Sequence, residues 1–464
     1  MAAVTTEPVP TSPGQINDDI FRTLQPPTPL YVVAVLACMG LVGIGLFALG
    51  FQTYWGFAVT GLMHPVMWGV YITSFVFWVG IAHAGTLISA ILYLFRARWR
   101  NAINRGAEAM TVFAVITAAL FPLIHIGRLW KFYFMLPYPN QRQLWTNFKS
   151  PLEWDVFAVG TYMTISILFF AVGLLPDIAA ARDRCSDWRK PLYGALALGW
   201  RGTSQQWRHW HRAVLHLSGL ATPLVLSVHS VVSWDFAMAL VPGWHTTIFA
   251  PYFVAGAIFS GIAMVITLMV PVRQAFGLQR QIRAVHFDNM GKFLLLTSTI
   301  VGYSYGVEFF MAYYSANPFE QSSFWSRAFG DYWWATWIMI TCNVFIPLPL
   351  WIKKVRLNIP VVWVISIFVN IGMWFERFVI ITTGLSHEYD PAAWGYYTPG
   401  WPEIAILIGS FAWFLMWFLL FIRMFPVIAI SEVKELYYED REDGRAEPAE
   451  PTEPTEPTER QGAY

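Results

Sequence analysis

Four ionisable residues lie at the ends of apolar segments, where charge is rare. His125 and Arg128 close a segment that reads FPLIHIGRLWKFYFM over residues 121–135. Asp155 opens the next segment, in SPLEWDVFAVG, and Asp235 lies near the end of the one after it, in HSVVSWDFAM. Ionisable side chains are costly in hydrocarbon and usually serve a function there. If these segments are neighbouring helices, a histidine and two carboxylates meet at one level, where they could accept protons from a bound molecule.

The composition of the chain indicates that these segments are membrane-spanning helices. Of its 464 residues, 56% are apolar and 13% are charged, whereas a soluble domain carries about 25% charged residues. A spanning helix needs about 20 mostly apolar residues. We therefore expect an all-α polytopic membrane protein with about ten transmembrane helices. Their expected positions are 30–51, 66–95, 107–131, 155–176, 211–236, 246–271, 288–314, 332–352, 358–384 and 402–426.

Basic residues alternate along the loops between these helices. The loops after the second, fourth, sixth and eighth helices are rich in Lys and Arg, whereas residues 52–65, 237–245 and 385–400 contain neither. The exception is the loop after the third helix, with Arg142 and Lys149. Cytoplasmic loops carry an excess of Lys and Arg, so we expect both termini in the cytoplasm. The histidine and the two aspartates then share the outer level of the membrane.

A weak internal repeat divides the helices into two groups. Residues 82–115 resemble residues 259–296, since each copy has an early glycine in a helix, a basic loop and a further helix. The repeat predicts two four-helix bundles plus two flanking helices, with any site inside one bundle or at their seam. The expected division is a polar cytoplasmic tail at 1–29, a flanking helix and outer loop at 30–65, a first bundle at 66–236, a second bundle at 246–384, a last flanking helix at 402–426 and a charged, partly disordered cytoplasmic tail at 427–464.

Oxidation of a quinol is the chemistry that the outer end of the first bundle suits best. A quinol loses two protons with its two electrons, so it needs a general base beside a hydroxyl group. A neutral histidine and a buried carboxylate can take that role. We expect His125 and Asp155 to bond the quinol head and Asp235 to assist. Trp130 and Trp154 lie close enough in sequence to wall the ring.

A purely structural interpretation stays open for the same residues. In it, His125 and Asp155 cap helix ends at an interface. Arg128 then reaches to the lipid headgroups instead of tuning the charge of a binding site. A chain of this kind would only anchor redox partners in the membrane, and both residues would be replaceable without loss of activity.

Other ionisable residues within the spans are candidates for a proton path. They are His83, His286, Asp288, Glu308 and Glu376. Simpler explanations exist, because a lone histidine such as His83 can hydrogen-bond to a neighbouring helix and His286 and Asp288 can begin one. Glu308 has no obvious partner nearby in sequence. A subunit that only conducts protons would depend on these residues and would bind no quinone.

The sequence offers no means of carrying electrons away. Its cysteines, Cys38, Cys185 and Cys342, form no C-x-x-C motif, so we expect no iron–sulfur cluster and no metal site. His216 and His229 have the spacing of stacked haem ligands, but no other span supplies a matching pair, so we expect no haem. The charges form no single basic patch, which argues against nucleic acid as a partner. A partner subunit must therefore receive the electrons.

Residues 60–385 resemble the membrane subunits of the NrfD/polysulfide-reductase family. The block PLIHIGRLWKFYFMLPYPNQRQLWTNFKSPLEWDVFAV is similar to the ActC-type quinol-binding subunit of bacterial alternative complex III. The resemblance implies a quinol, with menaquinone favoured, held between residues that match His125, Asp155 and Asp235. It also implies an iron–sulfur subunit on the outer side, haem c subunits and a second membrane subunit of the same family, in a bacterial cytoplasmic membrane with its lipids. The same fold could serve a molybdenum-enzyme complex such as polysulfide reductase.

Overall fold

The structure, a computed structural model, describes residues 12–140, 142–145 and 147–442. Within these residues the regular structure is helical, beside one isolated β-bridge between Met63 and Val66. Ten helices of the described chain are long and apolar enough to cross a membrane, which confirms the all-α prediction. Numbered as the first to tenth span, they are Pro29–Val59, Gly69–Leu94, Asn104–His125, Pro151–Arg184, Ser204–Ala237, Phe249–Ala275, Ala284–Tyr314, Trp333–Trp351, Ile359–Ser386 and Trp401–Met424.

Local sequence sets the helix ends beside the candidate residues. The third span ends at His125, earlier than expected, and Gly127 follows it with a φ of 76°. A Cβ atom on Gly127 would lie 2.8 Å from the ring of Phe57, so both the backbone turn and the close approach require glycine. The fourth span begins at Pro151, whose ring is pre-set for the first turn of a helix. Asp155 consequently lies one turn inside the fourth span.

The second and sixth spans form the centre of the protein. In their most apolar stretches 94% and 83% of the residues are buried, against 22% in the first span. The second to fifth spans form one closed ring of contacts and the sixth to ninth form another. The rings meet where the second span packs on the sixth and ninth and where the fifth packs on the sixth. The first and tenth spans pack on each other outside the rings, where a Cβ atom on Gly45 would lie 3.1 Å from the Gly409 Cα. Small residues allow spanning helices to approach this closely.

Two shorter helices cover the end of the protein opposite His125, which we call the basic-loop end. Pro13–Phe21 falls within the segment expected to be a polar tail, yet its Ile16 and Ile20 are buried. Ile430–Glu442 follows the tenth span and packs against Pro13–Phe21. The rest of the expected disordered tail, residues 443–464, lies outside the described residues.

Candidate functional site

Asp155 and Asp235 form a pair of buried carboxyl groups between the fourth and fifth spans. Their side chains interact with each other, and the two residues are only 5% and 6% exposed. Beyond this mutual contact, both carboxyl oxygens of Asp155 and Oδ1 of Asp235 have no hydrogen-bond partner among the described residues. Buried polar atoms are nearly always satisfied in folded proteins. The pair therefore has open positions for a donor from outside the chain.

His125 lies at the same end of the protein but outside this pair. Its ring faces Phe57 at the end of the first span, with 6.2 Å between ring centroids. Its Nδ1 atom is buried and has no hydrogen-bond partner in the described chain. Gln52 fixes the helix end beside it by donating to the Ile124 carbonyl at 3.4 Å. No hydrogen bond or ion pair among the described residues joins His125 to Asp155. The two residues lie on different helices, and each has its own atoms without a hydrogen-bond partner.

The expected aromatic and cationic neighbours occupy different environments. Trp154 packs edge-to-face on Trp234, with ring centroids 6.1 Å apart, and its indole N–H donates to the Phe148 carbonyl at 2.9 Å. The Trp154–Trp234 contact therefore joins the fourth span to the fifth, and each tryptophan directly precedes one of the two aspartates. Arg128 is exposed and Trp130 is 60% exposed, so both lie at the surface of the loop.

That loop, which connects the third span to the fourth, carries many exposed apolar side chains. Its exposed members are Leu129, Trp130, Phe132, Tyr133, Phe134, Leu136, Tyr138, Leu144, Trp145 and Phe148. Contiguous exposed apolar surface marks a contact with lipid or with another protein. The loop is therefore a candidate contact surface for lipid or for another protein.

His83 of the second span meets a second histidine, His229, which comes from the fifth span. The His83 ring lies 4.6 Å from the ring of His229, edge to face, and stacks on Tyr162 at 5.2 Å, measured between centroids. His83 Nδ1 bonds the Val79 carbonyl of its own helix at 2.6 Å. Its Nε2 and both ring nitrogens of His229 are buried without a partner among the described residues. Two imidazoles with unsatisfied nitrogens thus occupy the middle of the membrane region, at the seam of the two rings.

Glu376 is held in a hydrogen-bonded group on the other side of that seam. It forms an ion pair of 3.0 Å with Arg377 and accepts a hydrogen bond from Tyr305. Asn343 donates to the Tyr305 hydroxyl at 2.8 Å. The Arg377 guanidinium lies over the ring of Phe253, 4.3 Å from its centroid. This arrangement supports charge neutralisation at least as well as proton transfer.

Glu308 has a neighbour that sequence spacing does not reveal. Glu308, Arg327, Tyr252 and Thr336 line a cavity of about 10 Å³, which is room for about one water molecule. Arg327 comes from the helix Pro318–Phe329 and is 3% exposed, and burial lowers the pKa of its guanidinium. Polar atoms of all four residues have no partner within the described chain, so this cavity is polar.

His286 and Asp288 make contacts typical of a helix start. The Arg283 backbone N–H donates to His286 Nδ1 at 2.8 Å, which caps the seventh span. Asp288 forms ion pairs with Lys292 at 2.6 Å and with Arg356 at 2.8 Å. These contacts favour the structural interpretation of both residues over proton entry.

Sequence reasoning overlooks a charged cluster at the basic-loop end. Its members are Arg100, Arg105, Glu108, Asp177 and Glu432, and each is at most 7% exposed. The sequence does contain a sign of this cluster, because Glu108 falls inside one expected span and Asp177 directly follows another. Sequence reasoning also overlooks Glu153, which is 5% exposed and whose two carboxyl oxygens are unpartnered in the described chain.

The fold and these buried groups define a multi-pass membrane protein that holds acid–base side chains inside a helical bundle. A family model described as "Polysulphide reductase, NrfD" matches residues 58–387, which is most of the chain. The chain belongs to this family, and the match confirms the family resemblance found in the sequence.

Three relatives show how widely the family resemblance extends. A putative dimethyl sulfoxide reductase membrane subunit of Halobacterium salinarum is 25% identical, over 81% of this chain and 86% of the relative. A selenate reductase subunit of Mesobacillus selenatarsenatis is 23% identical, over 87% and 95%. The Hdr-like menaquinol oxidoreductase integral membrane subunit of Archaeoglobus fulgidus is 20% identical, over 90% and 99%. Each match covers nearly the whole relative, so the similarity extends across the membrane domain.

Proposed function

We propose that this chain is the quinol-oxidising membrane subunit of a multi-subunit oxidoreductase. The observation that carries the proposal is the buried Asp155–Asp235 pair with its open acceptor positions. Two carboxyl groups that share a dry environment cannot both be charged at low cost, so the pair can hold a proton and pass it on. A quinol hydroxyl is a donor of the kind that such a pair lacks.

Each residue of the site has a distinct part in the proposal. Asp155 accepts the proton of the first quinol hydroxyl, and Asp235 shares that proton and releases it towards the loop. His125, whose Nδ1 is unsatisfied, bonds the hydroxyl at the other end of the quinol head and accepts the second proton. Trp154 packs beside the ring. Arg128 adds positive charge at the loop surface.

Menaquinol is the quinol that we favour. The support is the name of the Archaeoglobus fulgidus relative, a menaquinol oxidoreductase subunit. Three small cavities of about 10 Å³ lie elsewhere in the protein. The quinol head would therefore enter from the lipid side, or the pocket would be completed by a partner subunit.

The electrons would pass to an iron–sulfur subunit at the His125 end. The three cysteines of this chain lie apart, in the first span, after the fourth and in the eighth, and all are free. The exposed aromatic loop between the third and fourth spans is a suitable docking surface for such a subunit. The basic loops at the opposite end support a cytoplasmic location for both termini. The membrane that we propose is a bacterial cytoplasmic membrane.

The type of complex has two candidates. The names of the first two relatives favour a reductase complex of the dimethyl sulfoxide or selenate type, in which quinol supplies electrons to a catalytic subunit. The similarity of the 120–160 block favours an alternative complex III type, with cytochrome c or a similar acceptor, haem c subunits and a second subunit of the NrfD family. The proteins that co-purify with the chain distinguish the two.

Proton translocation is a second candidate function of the same chain. The observation that favours it is the pair of imidazoles with unsatisfied nitrogens, His83 and His229, at the seam of the two rings. Glu376 and Glu308 continue a polar route through the second ring, and neither contributes to the quinol site. This function predicts proton movement that depends on His83 but not on bound quinol.

The quinone content of the purified complex tests the main proposal. We expect about one extractable quinone per complex in the wild type, and its loss in the double variant His125→Ala/Asp155→Asn. Glu153→Gln is the matched control, because it removes a buried carboxyl two residues away on another side of the same helix. Wild-type complex without quinone, or equal quinone in the double variant, would overturn the site assignment.

A further inference from the structure

A cluster of charged residues is buried at the basic-loop end, far from the quinol site. Arg105 of the third span bonds Glu108 on its own helix, and it bonds Asp177 of the fourth span at 3.1 Å. Arg100 pairs with Glu432 at 3.0 Å. Glu432 belongs to the helix Ile430–Glu442, so the chain segment after the tenth span completes the cluster.

The charges of this cluster do not balance. Two guanidinium groups, on Arg100 and Arg105, face three carboxyl groups, on Glu108, Asp177 and Glu432. With every group ionised, these five buried groups would carry a net charge of one negative unit. Lys434, which faces Asp177, and Glu435, which faces Glu432 and Arg100, lie less deeply in the protein and carry opposite charges, so together they leave this count unchanged. An uncompensated buried charge is strongly unfavourable, and such a group takes up a proton instead. One of the three carboxyl groups must therefore carry a proton.

Hydrogen bonding identifies which carboxyl group that is. Asp177 accepts from Arg105 through one oxygen and from the Ile430 backbone N–H, at 3.1 Å, through the other. Glu432 pairs with Arg100 through one oxygen and accepts from Asn104, at 3.1 Å, through the other. Both use their two oxygens as acceptors, which suits the ionised form. Glu108 has an ion pair through one oxygen only.

Two small cavities meet at the Glu108 side chain. Each has a volume of about 10 Å³, enough for about one water molecule. The cavity on the basic-loop side is lined by Arg100, Asn104, Glu108 and Glu432. Asn104 is 2% exposed, and its Oδ1 has no hydrogen-bond partner among the described residues. An unsatisfied buried amide oxygen at a polar cavity points to a bound water molecule.

The second cavity leads from Glu108 towards the middle of the membrane. The hydroxyl-bearing residues Thr86, Ser89, Thr111 and Ser166 line it together with Glu108. Thr86 is hydrogen-bonded to the Tyr162 hydroxyl at 2.8 Å. Tyr162 stacks on His83, one of the two imidazoles at the seam. Polar groups thus extend from Glu432 at the basic-loop end to the central pair of histidines, His83 and His229.

We propose that Glu108 is a proton-storing site that exchanges with the aqueous phase on the side of the helix Ile430–Glu442. The carboxyl O–H bond of Glu108 breaks, and a water molecule in the adjoining cavity takes the proton. Glu108 is then charged beside Arg105 until a proton that enters past Glu432 restores the O–H bond. The groups that face Glu108 and set its charge are Arg105, Arg100, Asp177 and Glu432. The proposal is independent of quinol oxidation, because no member of the cluster is near Asp155.

Difference infrared spectroscopy of the purified complex tests this proposal directly. We expect a C=O stretching band of a protonated carboxylic acid that shifts when water is exchanged for deuterium oxide. Glu108→Gln should remove one component of this band and leave the component of the Asp155–Asp235 pair, and Glu108→Asp, which keeps the carboxyl group, should retain both components, one of them at a shifted position. Glu153→Gln serves as the control and should leave the band unchanged.

A second variant makes the charge count itself testable. Glu432→Gln balances the cluster at two positive and two negative charges, so Glu108 should ionise and its band should disappear although Glu108 is present. A band that is unchanged in Glu108→Gln, or one that never exchanges with deuterium, would overturn the proposal. Quinone content should equal that of the wild type in every one of these variants. Loss of quinone in Glu108→Gln would indicate that this variant is misfolded. The test would then rest on Glu108→Asp, which should retain both the quinone and the carboxyl band.

Discussion

The most direct consequence of the proposed quinol site concerns Asp155→Asn. This change keeps the shape of the side chain and removes only its capacity to accept a proton. General-base catalysis contributes about 10²–10⁴-fold to rate, so we expect quinol oxidation to slow by about 10³-fold. That factor corresponds to about 4 kcal/mol in the activation free energy. Binding of quinone should weaken far less, since the amide can still accept a hydrogen bond from the quinol.

Asp235→Asn should behave differently because Asp235 acts on the quinol through Asp155. We expect a loss of about tenfold, since Asp155 can still accept the first proton but has lost its buried proton-sharing partner. The double variant should be little slower than Asp155→Asn alone, because residues that act as one unit are not additive. Independent structural roles would instead multiply the two losses.

The assay is quinol-dependent reduction of an artificial electron acceptor by purified complex, at saturating quinol and with the amount of each subunit measured in every sample. Glu153→Gln should retain wild-type turnover within a factor of about two. Turnover of Asp155→Asn within threefold of wild type, with the complex intact, would refute the general-base role. Equal and multiplicative losses for the two aspartates would refute their action as a pair.

Three further predictions follow from contacts around the site and the seam. Gly127→Ala should destabilise the protein by about 1–3 kcal/mol, because it forces a side chain into a positive-φ turn and against Phe57; a fall in the thermal unfolding midpoint measures this. Glu376→Gln should lower stability by about 3–5 kcal/mol, since it leaves Arg377 as an unpaired buried charge, and thermal unfolding that matches the wild type would contradict it. Burial lowers the pKa of His387, so the folded state favours its neutral form. Stability should therefore fall as the pH drops below about 6.5, the unfolded value, and His387→Gln should remove that part of the pH dependence.

The number and order of the spans could be predicted because they depend on local composition. Twenty apolar residues must form a helix in lipid whatever their neighbours do, so all ten expected segments overlap helices of the described chain. Their ends depend on contacts between distant residues. The third span stops at His125 because Gly127 turns beneath Phe57 of the first span, and hydropathy carries no information about that contact.

The depth of a residue in the membrane could be predicted better than the direction in which its side chain points around the helix axis. The sequence predicts Asp155 and Asp235 at one level, and the structure brings their side chains together. His125 shares that level but faces the first span. A helix that is apolar on all sides gives no signal for its rotation about its own axis, so sequence alone could not separate His125 from the pair. The same limitation conceals the approach of His229 to His83.

The buried cluster around Glu108 escapes sequence reasoning for a related physical cause. Arg and Lys near a span end are expected to extend into the headgroup region, so Arg100 and Arg105 resemble loop charges that orient the protein. The helix Ile430–Glu442 folds back over them and places Glu432 against Arg100, which converts a surface into an interior. No local pattern predicts that a charged segment after the last span will do this.

The third span connects the two proposed sites, and its length limits how they can influence each other. His125 and Glu108 lie 17 residues apart on it, which is about 25 Å at 1.5 Å per residue. Two unit charges at that distance interact by only about 0.7 kcal/mol at an effective dielectric constant near 20. Direct electrostatic coupling between the quinol end and Glu108 can therefore change a rate by no more than about threefold.

That limit separates a passive proton store from one coupled to the quinol reaction. If the two sites act independently, Glu108→Gln should leave quinol turnover within threefold of the wild type in membranes made permeable to protons. A fall of more than about tenfold, at unchanged quinone content, would require a chemical relay between the two ends. The polar route through Tyr162 to the His83–His229 pair is the relay that the structure offers. In that case His229→Phe, which keeps an aromatic ring in place, should reproduce the turnover of Glu108→Gln, and combining the two variants should slow the reaction no further.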